Sequence, residues 1–297
     1  MLFTSLTDYL LLEKKYSKHT VAAYKKDLEA FLSFCKEVYE VETIENVNYS
    51  QIRSWIVQLV EEGISNRSIN RKVASLKAYY KFLLKTGSIK ENPLIKHKAL
   101  KIPKKVEVPF SEKEMEKVLT EVPFNDDFEG FRNKLIIELF YATGIRRSEL
   151  INLKINDIDF SSMTIKVLGK RNKERIIPII TSLEKSIKQY MDVREKQFVN
   201  KEAYEYMFLS KKGNKMYEML VYRIINNYFS MASSKMKKSP HIIRHTFATH
   251  MLNQGADLNS VKELLGHASL ASTQVYTHNS ISELKKVYKK AHPRNKN

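Results

Sequence analysis

Prolines at 93, 103 and 109 punctuate a stretch of the chain that also carries, from 96 to 105, five lysines and no acid. Proline removes a backbone donor and fixes φ, so continuous helix is discouraged across this region. The chain therefore reads as two domains, each long enough to bury its own core. The expected division is a helical domain over 1–95, a basic linker over 96–110 and a second domain over 111–297. The linker's charge suggests that it lies along a nucleic-acid backbone.

Before the linker the pattern is helical almost throughout. Tyr24, Leu28, Phe31 and Cys35 recur at helical spacing behind Ser17, a residue suited to cap the start. A second helix is predicted from about Tyr49 to Glu62, with Ile52, Trp55, Ile56, Leu59 and Val60 inward, stopping at Gly63. A third begins near Asn66, turns Ile69, Val73, Leu76, Tyr80 and Leu83 to the core and ends at Gly87. Its other face shows Arg67, Arg71, Lys72 and Lys77. No acid lies between Arg67 and Lys90 to balance them, which points to a phosphate-facing surface.

After the linker, Ser111 and Glu114 form the sequence signature of a capping box. Helix is expected through Thr143, where Gly144 interrupts. Short strands are predicted at 158–160, 163–167 and 175–179, the last two joined as a hairpin by the polar run 169–174. Helical patterns then resume to the end of the chain.

Composition narrows the partner. The 51 Lys and Arg outnumber 33 Asp and Glu, a formal charge of +18 that attracts polyanions, of which DNA is the densest common one. Cys35 is the single cysteine, so no intramolecular disulfide forms, and it reads as a small core residue. No apolar run approaches membrane-spanning length. The segment from Met1 is interrupted by Asp8 and followed by Glu13-Lys14-Lys15, unlike a secretory signal, and a cytoplasmic location is expected.

The chemistry is concentrated in a few segments. Arg146 follows the Gly144 break, where a side chain can enter a cleft, and Glu149 is placed to hold Arg146 or Arg147. His241 and Arg244 stand three apart behind Pro240, on one face of a new helix, where they can meet one phosphate. His245 and His250 read as structural, satisfied by helix neighbours, since neither His-Glu-x-x-His nor a cysteine cluster is present to make a zinc site. Leu264-Leu265-Gly266 ends a helix, with His267 in the turn beyond and Tyr276 nine residues later. Guanidiniums bind a phosphodiester through paired donors, histidines move protons, and a phenol can become a nucleophile. Such a set can break and rejoin a nucleic-acid backbone without metal, nucleotide or other cofactor.

Taken together, these segments resemble the tyrosine recombinases, the lambda-integrase-like family, and within it the Xer group. The resemblance is carried by Ser17, Thr20 and Tyr24, by Ala-Thr-Gly-Ile-Arg-x-Ser-Glu-Leu at 142–150, and by Gly-Lys-x-Asn-Lys-Glu-Arg at 169–175. It continues in His-x-x-Arg-His-x-Phe-Ala-Thr-His at 241–250, Leu-Leu-Gly-His-Ala-Ser-Leu at 264–270 and Tyr-Thr-His at 276–278. The tail, Lys286-Val287-Tyr288 through Arg294, is similar to XerC-type chains.

The resemblance implies a mainly α, two-domain fold. A helical, SAM-like core-binding domain would precede a mixed α/β catalytic domain with a small antiparallel sheet. It implies the catalytic set Arg146, Lys170, His241, Arg244, His267 and Tyr276, with Tyr276 as nucleophile, His241 as base and Lys170 as the acid delivered by the hairpin. Arg171 departs from the glycine common at that turn position. The implied partners are double-stranded DNA at a dif-like site, a homo- or hetero-tetramer with a related Xer recombinase, and a DNA-translocase regulator, with no membrane. The implied role is chromosome dimer resolution, and the tail at about 282–291 is expected to dock on a neighbouring subunit. Rival expectations are a mobile-element integrase with the same chemistry, a non-catalytic DNA-binding protein of the same fold, and a metal-dependent nuclease. The intact six-residue set speaks against the second, and the absence of a carboxylate cluster near the histidines against the third.

Overall fold

The structure, a computed structural model, describes residues 3–103, 107–169, 174–198, 205–266 and 278–295. It separates into two compact units, Met1–Lys105 and Val106–Asn297.

In the first unit, α1 (Thr4–Asp8) and one π-helical turn lead into α2 (Lys18–Tyr39), α3 (Tyr49–Glu61) and α4 (Asn66–Lys85). Each of the three long helices is started by a side chain that takes up an otherwise unpaired backbone N–H. Ser17 accepts from Thr20, Asn48 forms a capping box with Gln51, and Ser65 accepts from Ser68. Leu28, Phe31 and Cys35 of α2 meet Ile52, Trp55 and Leu59 of α3 and Val73, Leu76 and Tyr80 of α4 in one core. Val60, expected inward, is half exposed, because Ile52, Trp55, Ile56 and Leu59 already supply the buried stripe of α3.

The basic face of α4 is less bare than its own sequence suggests. Asp27 of α2, 2% exposed, takes both terminal amines of Arg71, one at 2.9 Å, and also faces Lys72 and Ser75. The balancing acid comes from another helix, 44 residues away in sequence and outside the 67–90 segment. Arg67, Lys77 and Lys81 remain exposed.

The basic stretch is also tied down further than expected. The Asn70 amide pairs with both backbone groups of Leu100 at 2.9 Å, and Asn66 donates to the carbonyl of Lys101. At the other end, Phe110 is fully buried in the second unit and its N–H donates to Thr246.

The second unit comprises α5 (Glu112–Thr120), α6 (Phe128–Thr143), α7 (Arg147–Asn152), a sheet, α8 (Thr181–Gln197), α9 (Glu218–Ala232), α10 (Pro240–Asn253), α11 (Leu258–Leu265) and α12 (His278–Ala291). The capping box read at Ser111 and Glu114 is present, and Lys235 and Ser233 also bind Glu114. Helix α6 is buried on nearly every side, packed by α8 and α10, which explains its weak amphipathic pattern.

The sheet is antiparallel in the order β1 (Ile158–Asp159), β2 (Thr164–Leu168), β3 (Glu174–Pro178), with Ile165 opposite Ile177 and Val167 opposite Arg175. Phe160 and Met163 lie in the turn before β2, where the Asp159 carboxylate binds Ser161 and Ser162. Strand alternation puts Arg175 on the inward face with Ile177. The tail, expected on a neighbouring subunit, packs here on its own unit: Leu284, Tyr288 and Ala291 are buried, and the Tyr288 hydroxyl donates to the Ala142 carbonyl at 2.7 Å. No described helix is long and apolar enough to cross a membrane.

Candidate active site

Helix α6 ends at Gly144, whose φ of 59° is left-handed and open to glycine at no steric cost. A Cβ there would fall 2.5 Å from the Phe247 ring and 2.7 Å from Leu265. The chain turns sharply and sets Arg146 at the start of α7. Its backbone N–H donates to Glu149 Oε2 at 2.8 Å and its Nη1 to Oε1 at 2.7 Å. Of the two arginines placed near Glu149 by sequence, Arg146 is therefore the one held. Arg147 pairs instead with Glu218 of α9.

Arg244 lies on the buried face of α10, 9% exposed, and donates to the carbonyls of Gly144 and Leu265. Burial, then the charges of Arg146 and Arg175, push its pKa down to about 9, still charged at neutral pH. Arg175 adds a third guanidinium. Its Nη1 and Nη2 grip the two Glu149 oxygens at 2.9 and 2.8 Å, and its Nε donates to Leu264 at 2.8 Å.

One element organises all three. The consecutive carbonyls of Leu264, Leu265 and Gly266, at the end of α11, accept respectively from Arg175, Arg244 and Arg146. A helix C-terminus leaves its last carbonyls unpaired and carries partial negative charge, so it is a natural seat for cations. Burial alone would raise the Glu149 carboxyl, but the hydrogen bonds and charge of Arg175 and then Arg146 bring it down to about 2. Arg146 and Arg175 thus share the Glu149 carboxylate while Arg244 donates to carbonyls, leaving net positive charge beside a cleft of about 540 Å³ lined by Arg146, Ser148, Tyr222, His241 and Arg244, together with the Arg147–Glu218 pair. That is an anion site.

His241 stands at the first turn of α10 with 77% of its side chain exposed, and its Nδ1 faces Glu107 Oε2 at 3.0 Å. Lys237 shares Glu107 and, ahead of His241, draws its carboxyl below the usual range. At the N-cap before Pro240, the buried Ser239 hydroxyl has no partner among the described residues.

Lys170, His267 and Tyr276 lie outside the described residues, as does Arg171. Of the six site residues read from sequence, Arg146, Arg244 and His241 are thus brought to one cleft. Of the two histidines expected to be structural, His245 is exposed. His250 is buried against Tyr141 of α6, whose hydroxyl lies 2.9 Å from its Nδ1. Burial lowers the pKa of His250, which favours its neutral form.

Sequence reasoning missed Arg175 and Glu107. A signal for Arg175 was present, since an arginine at the inward parity of a strand demands a buried partner. Glu107 gave none, being an ordinary acid in a basic stretch.

The chain belongs to the phage integrase family, matched over residues 108–283, with the N-terminal SAM-like domain of phage integrases matched over 3–87. Within that family it is an Xer-type tyrosine recombinase, a site-specific DNA recombination enzyme. It is 40% identical to the tyrosine recombinase XerC of Anoxybacillus flavithermus, across 97% of this chain and 96% of that one. With the XerC of Bacillus subtilis it shares 37% identity over 97% and 94% of the two chains. Its fold resembles the Tn1549 transposon integrase solved with circular intermediate DNA (TM-score 0.68, 22% identity, 94% and 97% covered). It also resembles the XerH recombinase bound to difH substrate in the post-cleavage complex (TM-score 0.67, 20% identity, 92% and 77% covered).

Proposed function

We propose that this recombinase cuts and rejoins double-stranded DNA with Tyr276 as nucleophile. The supporting observation is the cleft itself, lined by Arg146 and Arg244 with His241 at its edge, where Glu149 is shared between Arg146 and Arg175 and so leaves the arginines with net positive charge. Two guanidiniums facing one phosphate grip its non-bridging oxygens and stabilise the charge that builds in a pentacoordinate transition state.

A phenol with a pKa of about 10 is a weak nucleophile at neutral pH. Next to the gripped phosphate and its arginines the phenolate is stabilised, and His241 accepts the proton. Glu107 suits that role: with a carboxylate on Nδ1, the proton sits there and the Nε2 lone pair is left to act as base. The Tyr276 oxygen forms a bond to phosphorus as the bond to the 5′ oxygen breaks. Lys170 protonates that leaving oxygen, and His267 adds a hydrogen bond to the phosphate. The product is a 3′-phosphotyrosyl link and a free 5′ hydroxyl, and attack by a 5′ hydroxyl of a second duplex reverses the step and exchanges strands.

The XerC relatives and the difH complex of XerH support the finer reading. In it the chain works in the cytoplasm in a tetramer with a related Xer recombinase, at a dif-like site, to resolve chromosome dimers. Cross-linking to DNA in cells tests this: recovery next to the chromosome terminus is expected, and recovery at the ends of a mobile element replaces it with the integrase role. The chemistry is tested with a nicked suicide site. Wild type should yield a covalent adduct on Tyr276, and Tyr276→Phe should abolish it with DNA binding nearly unchanged. Arg244→Ala should lose most activity, and a histidine change less. An adduct mapped to another tyrosine overturns the assignment.

A further inference from the structure

Arg175 is 3% exposed on the inward face of β3, too enclosed to touch DNA, yet it makes three hydrogen bonds to Glu149 and the end of α11, which hold Arg146. We infer that Arg175 is a positioning residue for phosphodiester exchange: through Glu149 and the end of α11 it sets the Arg146 guanidinium in the cleft and keeps its charge available to the scissile phosphate. The inference rests on the reading of Arg146 given above.

Stability alone does not account for this residue. A buried ion pair often gains nothing over well-packed apolar side chains, and the neighbouring inward position on the strand is filled by Ile177. The sharing of Glu149 is more informative. Its Oε1 accepts from Nη1 of both Arg146 and Arg175, and its Oε2 from the Arg146 backbone and Arg175 Nη2. Without Arg175, the one carboxylate would neutralise Arg146 and compete with a phosphate for it. With Arg175 present, Glu149 fixes the direction of Arg146 but leaves the pair of arginines with net charge.

Gly266 is shaped to the same arrangement. Its φ is 61°, and a Cβ there would lie 2.9 Å from Arg175 Cδ, while its carbonyl receives Arg146 Nη2 at 3.1 Å. One glycine therefore makes room for one arginine and seats the other.

The test compares suicide substrates carrying a normal phosphate or a neutral methylphosphonate at the scissile position, the second lacking the charge Arg146 is held to meet. Arg175→Gln should slow adduct formation on the phosphate by about 10- to 100-fold, the size of effect expected when a charged group is misplaced by an ångström or so. On the methylphosphonate it should fall within about 3-fold of wild type, as Arg146→Ala should. In an Arg146→Ala background, Arg175→Gln should add no further loss. Equal losses on both substrates, or losses that multiply with Arg146→Ala, overturn the inference and leave Arg175 a structural residue. If Arg175→Gln does not fold, Arg175→Lys carries the same comparisons, since it keeps the buried charge but not the two-pronged grip. Failure of the underlying reading shows separately, as Arg146→Ala cleaving the phosphate at the wild-type rate.

Discussion

At the scale of single residues, Glu149 is the group on which the cationic site turns. It is buried, it takes four hydrogen bonds from two arginines, and its pKa lies near 2. A carboxyl depressed on folding contributes stability that is complete above its unfolded value near 4.5 and fades as pH falls toward 2. Its size is on the order of 3 kcal/mol. Glu149→Gln should therefore be less stable than wild type by roughly that amount at pH 7, and the gap should narrow between pH 4.5 and 2. Urea unfolding across that range measures it, and a gap that stays constant with pH would show that the carboxyl is not ionised by its arginines.

At the scale of elements, the caps were legible because they are local. Ser111 and Glu114 announce α5 through three residues of sequence, and the structure places both reciprocal hydrogen bonds. Ser111→Ala should cost about 1 kcal/mol in urea unfolding, while adduct formation at 25 °C stays at the wild-type rate. The sheet was legible as three strands but not to their ends, since Phe160 and Met163 were taken into the Asp159 turn. The role of α11 was not legible at all. Its sequence announces a helix closed by Gly266, and nothing in Leu264-Leu265-Gly266 says that three carbonyls will each receive an arginine.

For the whole molecule, the surplus of +18 charges predicts affinity driven by phosphate contacts and the counterions they release. Binding to a specific duplex should weaken by about 10³-fold or more between 50 and 200 mM salt, if about 6 or more phosphates are met. A titration at several salt concentrations measures the slope, and affinity that persists unchanged at high salt would contradict the phosphate-driven reading. Part of the positive charge is spent inside the protein: Arg71, Lys72 and Arg175 face buried acids. Mutating Arg71 should accordingly disturb the α2–α4 packing, which thermal unfolding of the variant would show.

By itself the sequence determined the helical first unit, the mixed second unit, the break at Gly144, the family, and Arg146, His241 and Arg244 as residues to look for in one cleft. These are readable because helix period, caps and glycine breaks act within a few positions, and because the motifs hold their spacing along the chain. Only the tertiary structure decided which charges are free and which are held. Arg175 reaches Glu149 across 26 residues and Leu264 across 89, and Arg71 finds Asp27 across 44. Such pairings arise when strands and helices pack, because a charge removed from water must find its partner wherever folding has brought one.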